Sequence, residues 1–286
     1  MPSLIDIRRR IRSVKNTQQI TKAMKMVSAA KLRRAQDRTI ASRPYGGLLR
    51  KVLSNVAAAI AATDVASTNP LLARREENRI LLVLITGDKG LAGAFNTNLI
   101  KAAARFAAER PNAKISFVLI GRKGRDFFRK RSVTVTGEHI GLAAKVQFKD
   151  TAGIARQAME LFTDEKIDAV YLLYNEFKSV VSQKLTVSRV LPAELPAQTT
   201  PMDYIYEDPP AEMLDVLLPK YVEMEFYRAL SESAAAEHAA RMTAMDAATS
   251  NAADMIEKLT LYMNRVRQAS ITKEIIEVVS GAAAAE

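Results

Sequence analysis

The sequence of 286 residues has no cysteine, no tryptophan and only two histidines, His139 and His238. Without cysteine there is no disulfide scaffold, thiolate metal site, thiol nucleophile or dithiol redox switch. Two isolated histidines are a poor basis for a metal centre or a catalytic triad. Aromatic residues are only 6% while alanine is abundant, which favours long helices over a core of bulky rings. No apolar run reaches the roughly 18 residues that a bilayer span needs. The basic start MPSLIDIRRRIRSVKNTQQ leads into no apolar signal core, so a soluble, non-secreted protein is expected. Glycine and proline are missing from two long stretches, 3–43 and 220–280.

Those two stretches come first among the features present. At 1.5 Å per residue they make helices of roughly 60 and 90 Å. Such length without all-round hydrophobicity marks a coiled coil. In the C-terminal stretch Met242, Met245, Thr249, Ala252, Ile256, Leu259, Met263, Val266 and Ser270 keep strict 3-4 spacing. Leu4, Ile7, Ile11 and Val14 keep it at the N-terminus, and polar Thr17, Gln18 and Thr21 then interrupt. Ile20, Met24 and Val27 are read as resuming the stripe in a shifted frame, as a stutter would. Alanine fills half of positions 234–253, a seam that permits close approach but stabilises less per layer than leucine or isoleucine. If the two ends pair, they run antiparallel.

The middle of the chain has another rhythm. Short runs rich in Val, Ile, Leu and Tyr occur at 79–86, 115–120, 132–136, 169–174 and 185–191. Helical patterns lie between them at about 92–109, 122–130 and 150–165, so a mainly parallel α/β sheet is expected. Pro44-Tyr45-Gly46-Gly47 is expected to kink or interrupt the first helix. The boundaries read from this are a helix over 1–60, an α/β domain over 78–192, a proline-rich linker or foot over 193–210 and a helix over 211–283. The fold class is therefore α/β plus a long coiled coil, with a Rossmann-like domain inserted between the chain-end helices.

The net charge of +11 is unevenly placed. Residues 1–51 carry 14 Lys and Arg against 2 Asp and Glu, and the remainder is nearly neutral. A solvated helix face usually mixes signs to gain i,i+4 pairs, so the bias points to a partner with an acidic surface. Nucleic acid is one such partner. A basic-region helix, however, places its charge before a separate zipper, whereas charge and heptads overlap here.

ITGDKGLAGAFN (85–96) follows a strand and opens a helix, where a phosphate loop would lie. Ala94 and Phe95 follow Gly93 in place of the Lys-Ser/Thr of a Walker loop, and the spacing is not G-x-G-x-x-G. A tight strand–helix turn is the better reading. Met24, Met26, Met242, Met245, Met255 and Met263 are read as core filling. Nothing places the carboxylate pairs Glu76-Glu77 and Glu207-Asp208 in a pocket. An α/β enzyme with helical arms finds no nucleophile, and no cofactor is called for.

Three segments carry a resemblance over nearly the whole chain: IRRRIRSVKNTQQITKAMKMVSAAKLRRAQ (7–36) with SRPYG (42–46), ITGDKGLAGAFNTNL (85–99), and ARMTAMDAATSNAADMIEKLTLYMNRVRQASITKEIIEVVSGAA (240–283). They resemble the gamma subunits of F-type ATP synthases, the last in a wording close to the alphaproteobacterial and mitochondrial branch. The resemblance implies a left-handed antiparallel coiled coil inside a ring of three alpha and three beta subunits. Its foot would bind the epsilon subunit and the membrane ring of proton-carrying subunits, with room for an additional inhibitory subunit and no nucleic acid. Such a chain is a non-catalytic rotor, a peripheral membrane protein on the cytoplasmic side of the bacterial inner membrane. By the same resemblance Lys22, Met24 and Lys25 meet the beta lever, and Arg265, Arg267 and Gln268 engage a beta catch loop. Tyr204, Tyr206 and Glu207 touch the membrane ring.

Overall fold

A computed structural model describes residues 3–62, 69–194 and 208–283. Helices α1 (Leu4–Ala62) and α5 (Pro210–Ala283) lie at the two chain ends, and five strands with three shorter α-helices lie between them in sequence. The chain divides into two compact units, one joining residues up to Ser28 with those from Met242 onward, the other spanning Ala29–Arg241.

In the first unit Ser3 and Asp6 open α1 with reciprocal bonds. Ser3 Oγ donates to Asp6 Oδ2 at 2.7 Å and the Asp6 amide donates to Ser3 Oγ at 3.2 Å. Thr21 Oγ1 lies 2.8 Å from Thr249 Oγ1, and Lys25 Nζ donates to Asp246 Oδ1 at 2.5 Å. Moving forward on α1 thus means moving backward on α5, an antiparallel pair. All nine expected seam positions of α5 are buried or half-buried.

On α1 the expected stutter does not occur. Leu4, Ile7, Ile11, Val14, Gln18, Thr21, Lys25 and Ser28 keep unbroken 3-4 spacing and are all at least half-buried, whereas Ile20 and Val27 are 60% and 56% exposed. The polar seam is tolerated because its hydroxyls bond locally. Ser28 donates to Met24 O, and Thr21 and Thr249 share a 2.8 Å hydroxyl pair that also lies within hydrogen-bond reach of Gln18 O and Met245 O, so no hydroxyl is stranded between the helices. The register brings Leu4 to about the level of Val266. Beyond it, α5 is exposed on every described side from Ile271 to Ser280.

The second unit holds one sheet of order β3-β2-β1-β4-β5: β1 (Arg79–Ile85), β2 (Lys114–Ile120), β3 (Thr134–His139), β4 (Ala169–Phe177) and β5 (Gln183–Leu191). All neighbours are parallel except β4 and β5. Helices α2 (Phe95–Ala108), α3 (Arg122–Phe128) and α4 (Phe148–Thr163) connect the parallel strands. Alternate side chains of β1 enter opposite cores, as strand geometry requires. Leu81, Val83 and Ile85 pack in one core with Phe162 of α4 and Leu218, Val222 and Phe226 of α5. Ile80, Leu82 and Leu84 pack in the other with Phe95, Leu99 and Phe106 of α2. The third strand lies later than the run at 132–136. Its apolar signal stops at Val135, but pairing with β2 across a bulge at Phe117/Val118 extends it to His139.

Helix α1 is not interrupted at Pro44. Downstream, Leu49, Leu53, Val56 and Ile60 close a small core around Leu214 of α5. Full burial of Leu53 and Val56 is worth about 1.5–3 kcal/mol each, enough to offset the roughly 3 kcal/mol that an interior proline costs.

Candidate functional site

Most of the α1 charge faces outward. Arg8, Arg9, Arg10, Arg12 and Lys22 are exposed, and among the described residues no carboxylate pairs with them. Lys25 differs, because its side chain is half-buried and its ammonium pairs with Asp246 of α5. Met24 is half-buried beside it. On α5, Arg265, Arg267 and Gln268 are exposed around Val266, which turns toward the seam. The structure does not bring these two sets together. Lys22–Lys25 stand at about the level of Asp246–Ala248, roughly 27 Å along the coil from Arg265–Gln268. Tyr204, Tyr206 and Glu207 lie outside the described residues.

Sequence reading missed one surface. Ile20, Met26 and Val27 form exposed apolar positions beside Lys22, and Ile275, Ile276 and Val278 do so at the far end of α5. The signal was available for the first group. A heptad frame carried straight through Gln18, Thr21 and Ser28 leaves Ile20 and Val27 outside.

In the second unit, the turn after β1 ties itself down. The Gly87 amide donates to Asn96 Oδ1 at 2.9 Å, and Asn96 Nδ2 returns a bond to Lys89 O at 3.3 Å. Asp88 accepts from the amides of Arg122 and Gly141, each at 3.0 Å, linking the turns that follow β1, β2 and β3. Thr86 Oγ1 donates to Ile120 O at 3.0 Å and accepts from the Gly124 amide at 2.9 Å. Gly121, at φ +94°, passes so close that a Cβ there would stand 2.1 Å from Thr86 O, so only glycine fits. The expected tight turn is what is found.

The titratable groups nearby are set by burial. Burial pushes the Glu237 carboxyl above its ordinary range, against the pull of Arg241. His238 is pushed down to about 4, first by burial and then by Arg241, Lys31 and Arg38. Among the described residues no cluster of three His, Asp or Glu could hold a metal ion, and no helix is long and apolar enough to cross a membrane.

A paired-helix surface with outward cations, and a Rossmann-like sheet whose first turn is closed by its own side chains, define a partner-binding mechanical component. The comparisons with known proteins name the kind. A family profile described as ATP synthase matches residues 3–285. An ATP synthase gamma chain of Solibacter usitatus is 82% identical over 286 residues, covering both chains completely. The one from Pelotomaculum thermopropionicum is 48% identical over 289 residues, again covering 100% of each. Among solved structures, the central stalk and c-ring of Tetrahymena thermophila mitochondrial ATP synthase contains a similar chain, at TM-score 0.62 and 27% identity. That match covers 80% of this chain and 99% of the other. The rotor of Euglena gracilis mitochondrial ATP synthase shares the fold at TM-score 0.66 and 21% identity, covering 94% and 98%. The chain belongs to the ATP synthase gamma-chain family. It is the non-catalytic central-stalk rotor subunit of an F-type ATP synthase, and catalysis belongs to the beta subunits. Nucleic-acid binding receives no support from these relatives.

Proposed function

We propose that the paired segment of α1 and α5 is the surface that drives the beta subunits through their binding states. Lys22, Met24 and Lys25 meet one beta element, and Arg265, Arg267 and Gln268 another. Tyr204, Tyr206 and Glu207, with the 193–210 linker, form the foot on the membrane ring, beside the epsilon subunit. The chain acts as a peripheral protein on the cytoplasmic side of the bacterial inner membrane, with the coil standing inside three alpha and three beta subunits.

The observation that supports this reading is that Lys22, Arg265, Arg267 and Gln268 are exposed while Thr21, Met245 and Ala252 are buried in the seam. Side chains in the seam hold the two helices together, and side chains outside it are available to a surrounding ring. Because the sets stand at separate levels, the shaft presents different chemistry at different heights and faces. Turning it therefore changes what each beta subunit meets.

Arg267→Glu is the test. It places a carboxylate where a cation faces the catch element, so proton-driven ATP synthesis should fall while the complex still assembles. Proton-driven synthesis equal to the parent's would refute the contact.

A further inference from the structure

In a sheet of order 3-2-1-4, the crevice at the carboxyl ends of β1 and β4, where the strand order reverses, is where such folds take ligands. Here α5 occupies that side of the β1 turn. Arg241 is 7% exposed and Glu237 6%. Arg241 Nη2 donates to Glu237 Oε1 at 2.5 Å and to the carbonyls of Lys89 and Gly90 at 3.3 Å, and its Nε donates to Gly90 O at 3.3 Å. The Glu237 carboxylate lies so near the turn that a Cβ on Gly87 would stand 2.7 Å from its Cδ. The glycine of this motif thus makes room for the chain's own carboxylate, at a place where a phosphate would otherwise approach.

The position of this contact along α5 matters. Upstream, α5 is held to the sheet by Leu218, Val222, Phe226, Ala229, Leu230 and Ala234, an apolar stripe. Apolar burial is strong but non-directional, so it resists separation better than it resists twisting of a helix about its axis. A planar guanidinium fixed to two carbonyls and a carboxylate is directional. Arg241 is also the last residue of the second unit. The turn it grips is itself tied through Asp88 to the turns after β2 and β3.

We propose that Glu237, Arg241 and the 87–90 turn form a torque-bearing joint, with Arg241 the positioning residue that stops α5 from twisting against the sheet under load. The joint rests on the rotor role of the chain. Removing the guanidinium leaves the helix packed but without its directional hold on the 87–90 turn, and adding a methyl group at Gly87 pushes the carboxylate out of its seat. Either change softens the same connection from opposite sides.

The measurement uses the intact synthase complex carrying this chain. Because the sequence has no cysteine, Val181→Cys, at an 84% exposed position between β4 and β5, takes a single bead on the sheet. The catalytic subunits are locked with a nucleotide that is not turned over, and the angular spread of the bead is recorded. In Arg241→Ala and in Gly87→Ala the spread should widen about twofold or more at unchanged complex yield, since a buried ion pair has lost a partner or its seat. Arg241→Lys should fall between, keeping the charge and losing the fork. A spread equal to the parent's in both variants overturns the joint, even if their melting temperatures drop. If Arg241→Ala does not assemble, Arg241→Lys decides, and a parent-like spread there overturns it as well. A parent complex whose bead never rotates on ATP addition would instead refute the rotor role.

Discussion

His238 sits one residue beyond Glu237 on α5, and its imidazole faces three cations, Arg241 on its own helix and Lys31 and Arg38 on α1. With its pKa pushed down to about 4, it stays neutral in the fold while an unfolded chain would take up a proton below about 6.5. The stability this contributes is complete above pH 6.5 and is lost as pH falls toward 4, below which both states are protonated. Glu237 works with the opposite sign, because a raised carboxyl binds its proton more readily in the fold. Urea unfolding of the chain should therefore show a midpoint that declines from pH 6.5 to 4, and His238→Gln should flatten part of that decline. Superimposable pH profiles would sink the assignment. Nothing in sequence spacing marks His238 as special. Besides Arg241 on its own helix, Lys31 and Arg38, some 200 positions away, make up its charged surroundings. The same holds for Gly87, where an added Cβ would meet the Glu237 carboxylate from α5.

At the scale of elements, hydrophobic periodicity was a sound guide where seam residues are apolar and a poor one where they are not. The α5 seam from Met242 to Ser270 was legible because Met, Ile, Leu and Val mark most of its positions. On α1 the eye follows Ile20 and Val27 out of the seam, since both are more hydrophobic than Thr21 and Ser28. Packing chose the polar frame because its hydroxyls already have carbonyl partners on their own helix. Thr21→Val with Thr249→Val should consequently leave the melting temperature unchanged or raised, as replacing both partners by groups of like shape strands nothing. Ile20→Thr with Val27→Thr should shift stability by less than about 0.5 kcal/mol per site, the range for exposed positions. A large loss from the second pair and from the first would restore the stutter. The strands and connecting helices of the α/β part were legible from apolar runs, whereas strand order and the antiparallel course of β5 were not.

For the whole molecule, charge and length define the mechanics. Most of the described basic residues of α1 are exposed, and Lys25 is already paired with Asp246. Exposed ion pairs contribute only about 0–1 kcal/mol each and are screened beyond about 10 Å in salt. Torque must then pass mainly by steric contact with a stiff pair of helices. Lys22→Gln with Lys25→Gln is expected to leave rotation and coupled synthesis largely intact in the assembled complex. Complete loss of synthesis in that variant, with assembly preserved, would show that the charges themselves transmit the load.

The sequence by itself determined two long terminal helices, the heptad stripe of α5, the strand–helix alternation between them and the basic bias of residues 1–51. Each of these is written in local periodicity or composition. Only the tertiary structure decided that the α1 seam runs through Thr21 and Ser28, that α1 continues past Pro44, and that Glu237 and Arg241 close the glycine turn. In each case a packing partner lies far away in sequence on α5: Thr249 for Thr21, Leu214 for the segment after Pro44, and Glu237 with Arg241 for the turn. A residue's local preference cannot anticipate the partner that folding places against it.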